Sequence, residues 1–166
     1  MPAVFRLRSL ALLPLLVLAT LLTATLAPTP PAHASGSHQT RREKKIAHAL
    51  DIVRNQKGDP YRYGAAGPGA FDCSGLVYYS FHKAGLSHVP RSSSQQARFA
   101  DRIKRKNLRK GDLIFFHDNG SVYHAAVFAG WKNHHRYMIH SPHSGSHVQR
   151  DRISSNNWYA GTLRKK

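Results

Sequence analysis

The sequence predicts an α+β domain in which N-terminal helices pack on one side of an antiparallel β-sheet. Two patterns predict it. Apolar residues recur at helical spacing in the first half of the domain, and from Gly111 onward short runs rich in β-branched and aromatic residues alternate with turn-like segments. Helices first and a meander afterwards leave the helices one face of the sheet to cover.

The elements follow in chain order. Residues 1–34 carry Arg6 and Arg8, then the apolar run "LALLPLLVLATLLTATLA", then Ala32-His33-Ala34, a small-x-small pattern. Together these predict a secretory signal peptide cleaved after Ala34. The competing reading is an uncleaved anchor, since the run is near bilayer-spanning length; Pro14, the threonines and the cleavage-like end favour the signal. A secreted or cell-wall-associated product with no stable membrane anchor is therefore expected. Residues 35–43 read as a flexible polar leader, and 44–166 as one domain, expected to be monomeric.

Within that domain, Ile46, Ala49, Leu50 and Val53 mark a first helix that Gly58 and Pro60 close. "YRYGAAGPGAF" is a loop. Asp72 then caps a second helix, stopped at Gly85, with Cys73 in its first turn. Serines open a short third helix within 92–102. "DLIFF", "SVYHAAVFAG" and "RYMIHS" are consecutive antiparallel strands, and "HVQRDRI" and "WYAGTL" add one or two more.

The chain holds 25 Lys and Arg against 8 Asp and Glu, a formal charge of +17, and most of the excess survives loss of residues 1–34. Such charge speaks to partners. Export and the lack of aromatic interleaving in "RIKRKNLRK" argue against nucleic acid. Anionic wall polymers or lipid head groups remain, beside the plain alternative of a solvated basic face.

Cys73 is the single cysteine. In an oxidising compartment an unpaired thiol means intermolecular pairing, a buried inert residue or a nucleophile. Its place at a helix start favours the thiolate. Among 12 histidines, His124 stands out because it lies inside an apolar strand, alternating with Val122, Ala126 and Phe128; His140 ends the next strand. A hairpin pivoting on Lys132 sets the two directly opposite on one face, with Cβ atoms about 5 Å apart. His124 can then act as base toward Cys73 and His140 can orient it. Ordinary histidines bonded to backbone are the competing reading. "HHRYMIHSPHSGSH" matches no zinc signature, and neither metal nor cofactor is expected.

"DPYRYG", "FDCSGLV", "VPRSSSQQ", "KGDLIFF", "HAAVFAG" and "MIHSPHSG", in this order, resemble the NlpC family of bacterial cell-wall cysteine peptidases, a papain-like group, over roughly residues 44–163. The resemblance implies hydrolysis of an amide in peptidoglycan stem peptides, commonly between the side-chain carboxyl of D-glutamate and the following diamino acid. By that resemblance Cys73 is the nucleophile, His124 the base and acid, and His140 the third residue, while Tyr61 helps the Cys73 N–H at the oxyanion. Asp72 and Ser74 match positions implied to bind the substrate's free amino end, and Arg91 and Ser92 are further cleft residues. Asp72 also has a capping role open to it, and Tyr61 a packing one. The connection from His124 to His140 is longer than expected for the family, though still even in residue number. An amidase or acyltransferase on the same core, or a non-enzymatic basic wall-binding protein, are the other functions in play.

Overall fold

The structure, a computed structural model, describes residues 40–166. The expected signal peptide and most of the leader lie outside the described residues. Three helices, α1 (Arg41–Asn55), α2 (Cys73–Lys83) and α3 (Ser93–Phe99), precede or flank six strands: β1 (Asp101–Ile103), β2 (Leu113–Asp118), β3 (Ser121–Lys132), β4 (His135–His140), β5 (Gln149–Arg152) and β6 (Trp158–Thr162). The strands form one antiparallel sheet in the order β1-β6-β2-β3-β4-β5.

Helix α1 starts three residues earlier than the sequence boundary at Lys44. Thr40 accepts from the Glu43 N–H and Glu43 reaches back to the Thr40 N–H, a capping box that satisfies orphan donors at both places. Residues 41–43, expected to belong to the leader, are the first turn of α1. Helix α3 is shorter than expected, because Ala100 turns to extended backbone and Asp101–Ile103 pair with Thr162–Ala160. The three-residue strand β1 was hidden in a charged stretch without alternation.

The sheet has a core on each face. On the helix side, Ile46, Leu50, Val53, Leu76, Val77 and Phe81 pack with Leu113, Phe115, Ala125 and Val127. On the other, Ile114, Phe116, Ala126, Phe128, Met138 and Trp158 form a second cluster. Alternate residues of β2 and β3 divide between the two, as the pleat demands.

Two irregularities in β3 decide which side chains share a face. Phe116 pairs with His124, but His117 pairs with Val122, so Tyr123 is an extra residue. Val122 consequently packs with the helix-side cluster and does not share the His124 face, contrary to simple alternation. At the other end the hairpin turns at Asn133 and His134, both at positive φ, rather than pivoting on Lys132. That turn pairs Lys132 with His135, and Ala129 is then a second extra residue between Phe128–Met138 and Gly130–Tyr137.

Candidate active site

Cys73 opens α2. The Asp72 carboxylate caps the helix by accepting from the Gly75 N–H at 2.6 Å, and it also accepts from the Gly64 N–H at 3.0 Å. Arg91 grips the same carboxylate with both terminal nitrogens, at 3.1 and 2.8 Å, and donates to Ser74 Oγ at 3.0 Å. Ser74 in turn donates to Asp72 at 3.2 Å. Burial pushes the Asp72 carboxyl up, but the Arg91 and Gly75 hydrogen bonds outweigh it and hold the group below the usual range. The Asp72 carboxylate is thus paired with Arg91 within the chain. Asp72, Ser74 and Arg91, three of the residues expected to bind substrate, are brought together in a network that fixes the start of the helix carrying the thiol. Ser92, the fourth, caps α3 in a capping box with Gln95.

The first turn of α2 also presses on the loop before it. A Cβ at Gly75 would lie 2.0 Å from the Ala65 carbonyl oxygen, which accepts from the Asp72 N–H at 2.9 Å. Glycine is the one residue that this approach admits. Tyr61, delivered by the same loop, is partly buried. Burial raises its hydroxyl pKa, and the charges of Cys73 and Asp72 add to the effect, which puts it within electrostatic reach of the sulfur.

On the side of β3, the Ala125 N–H favours the thiolate form of Cys73. Burial pushes the Cys73 thiol up; the Ala125 N–H opposes it, the Asp72 charge adds to it, and the Ser74 donors oppose it further without overturning the rise. The helix start alone would favour a thiolate, but at this sulfur desolvation wins and the resting group is a thiol.

One residue before Ala125 is His124. Its Nε2 lies 2.8 Å from Nδ1 of His140, with the rings 5.0 Å apart and near perpendicular at 80°. The sequence reading had the two directly opposite. In the observed register, Val127 pairs with Ile139, so His140 continues opposite Ala126 and His124 sits two residues further along, a diagonal pair on one face. The Ala129 bulge makes this possible. The turn register alone pairs odd residues with even ones and would send the two imidazoles to opposite faces; one extra residue restores the parity. Burial, with His140 next in importance, pulls the His124 pKa down to about 3, so this imidazole is neutral and free to accept a proton.

His140, 7% exposed, is lowered by burial and partly raised again by Asp151. Its Nε2 lies 3.0 Å from Asp151 Oδ2, and Gln149 donates to the same oxygen at 2.6 Å. Asp151 was not found from the sequence. It stands in "HVQRDRI", a polar edge strand, and its one signal is that strand alternation places it on the face of Gln149, which pairs with His140. Asp112, at the turn before β2, accepts from the Arg109 N–H and forms a buried ion pair with Arg164.

An unpaired thiol at a helix start, beside two neighbouring strands that each contribute one histidine of a hydrogen-bonded pair, on an antiparallel sheet with helices on one side, defines a papain-like α+β domain. The NlpC/P60 family model matches residues 58–166, and the chain belongs to that family. A murein DD-endopeptidase, MepH, of Escherichia coli K12 is 32% identical over 136 residues, which cover 77% of this chain and 49% of the relative. A gamma-D-glutamyl-L-lysine dipeptidyl-peptidase of Bacillus cereus is 37% identical over 107 residues, 61% of this chain and 31% of the relative. The chain thus spans less than half the length of these curated relatives. Among solved structures, the P60 domain of an antigen of M. avium subspecies paratuberculosis superposes with a TM-score of 0.63 at 27% identity, covering 74% of this chain and 96% of that one. RipD of Mycobacterium tuberculosis, described as a non-catalytic NlpC/p60 domain adapted to peptidoglycan binding, gives 0.60 at 25%, covering 72% and 97%.

Proposed function

We propose that this chain is an exported peptidoglycan endopeptidase that cleaves an amide bond of the stem peptide, between the D-glutamate side-chain carboxyl and the diamino acid, through Cys73, His124 and His140. The observation that carries the reading is the hydrogen bond between His124 on β3 and His140 on β4, next to Ala125, whose N–H favours the thiolate of the single cysteine.

With a neutral thiol and a neutral imidazole at rest, the proton moves as the bond forms. His124 takes the Cys73 proton while sulfur attacks the carbonyl carbon. The oxyanion that develops is met by the Cys73 N–H, which as the first of its helix has no intrahelical partner, and by the Tyr61 hydroxyl. Collapse breaks the C–N bond, the His124 imidazolium gives its proton to the departing amine, and a thioester to Cys73 remains. Water then attacks the thioester, His124 accepts its proton and returns it to sulfur, and the acid leaves.

The two relatives are named for different bonds, so digestion of defined muropeptides with mass spectrometry of the products is the deciding test. A new terminus at D-glutamate supports the proposed bond, and intact stem peptide released from sugar would identify an amidase instead. We also propose that the basic surface holds the protein to anionic wall polymers. Unchanged muropeptides in the presence of tight binding to the wall would assign the chain the use described for RipD.

A further inference from the structure

The geometry points to Asp151 as the positioning residue that decides which nitrogen of His124 carries the lone pair; this rests on the role proposed above for His124. A carboxylate only accepts hydrogen bonds. Asp151 Oδ2, 3.0 Å from His140 Nε2, therefore requires a proton on that nitrogen. A neutral His140 then has a bare Nδ1, and the atom 2.8 Å away, His124 Nε2, must donate to it. His124 keeps its lone pair on Nδ1, the nitrogen not engaged by His140, and this is the atom left to take the Cys73 proton. The imidazolium formed during attack faces a chain of acceptors that ends on a carboxylate.

Strand pairing builds the arrangement. Gln149 lies opposite His140 and Met138 opposite Asp151, so Asp151 reaches His140 diagonally along one face. Gln149 steadies the carboxylate by donating to the same oxygen. The Asp151 side chain is 42% exposed, so the position tolerates substitution without leaving a hole in either core. With no acceptor there, His140 is free to hold its proton on Nδ1 and donate to His124 Nε2. The proton of His124 would then lie on Nδ1, and the base would be lost.

The variants are Asp151→Leu, which removes the acceptor, and Asp151→Asn, whose amide oxygen can still accept from both His140 and Gln149. Nitrogen-15 NMR of histidine-labelled protein reads the tautomers without any substrate. The expected result is protonated Nε2 on both His124 and His140 in wild type and Asp151→Asn, and loss of this single pattern in Asp151→Leu. On a stem-peptide substrate kcat should fall roughly tenfold or more in Asp151→Leu with KM little changed, less than the full loss of a general base because His124 remains. Asp151→Asn should recover most of it. A wild-type His140 protonated on Nδ1, or tautomers and kcat unaltered in a folded Asp151→Leu, overturns the inference. If wild type hydrolyses no stem peptide, the proposed function fails, while the NMR pattern still decides the role of Asp151.

Discussion

His124 and His140 are held neutral chiefly by burial, and that has a consequence for stability as well as chemistry. In the unfolded chain each imidazole takes a proton near 6.5. In the folded protein His124 does not do so until about 3. The unfolded state therefore binds more protons throughout that window, so the folded state is at full strength above about 6.5 and loses stability as pH falls, by up to about 1.4 kcal/mol per pH unit for this one group. Urea denaturation at pH 7 and pH 5 should show a larger loss for wild type than for His124→Gln. Equal losses would mean that His124 is not neutral in the folded state.

At this same scale, Cys73 and the two histidines were legible because each breaks a pattern. One is a lone thiol in a chain expected to be exported, and the others are imidazoles inside apolar strands. Asp151 breaks none. An acid between arginines on a polar strand looks like solvent-facing charge until its neighbour across the ladder is known.

At the scale of elements, the start of α2 is the most constrained piece. Its cap, its ion pair to Arg91 and its contact with Ala65 all fix where the sulfur stands. Gly75→Ala forces the helix and the 65–67 loop apart, and a folded variant should lose about 1–3 kcal/mol by thermal or urea denaturation, as overpacking does. Its activity should fall more steeply than its stability, since the thiol moves with the helix. Normal turnover would show that the site absorbs the shift elsewhere.

The Asp72 cap, the Gly85 stop and the main strands could be read from residue types, because capping and alternation are local. Register could not. The sequence reading reached the right face for His140 through a symmetric hairpin, whereas the molecule reaches it through a two-residue turn and a bulge at Ala129, and no residue type announces that bulge.

Over the whole molecule, the basic run that suggested a polyanion partner divides into two kinds of residue. Arg102 stacks on Tyr159 at 4.3 Å, Arg105 on Trp158 at 4.2 Å, and Arg109 pairs with Glu43 at 3.0 Å. These arginines are part of the fold's outer surface. Lys104 and Lys106 are exposed, and no hydrogen bond or ion pair engages their side chains among the described residues. The double variant Lys104→Glu, Lys106→Glu should keep its melting temperature, elute from isolated walls at lower salt than wild type, and cleave soluble muropeptides normally. Unchanged elution would make this face a solvated surface only. The net charge was legible from composition, but which cations are free was not, since stacking and pairing depend on strands far apart in sequence.

All three scales converge on one sulfur, and the most direct measurement compares wild type with Cys73→Ala on purified muropeptides, both proteins shown to be folded, with products identified by mass spectrometry. The prediction is cleavage on the carboxyl side of D-glutamate by wild type and none above background by Cys73→Ala. Equal cleavage by the two proteins would contradict it.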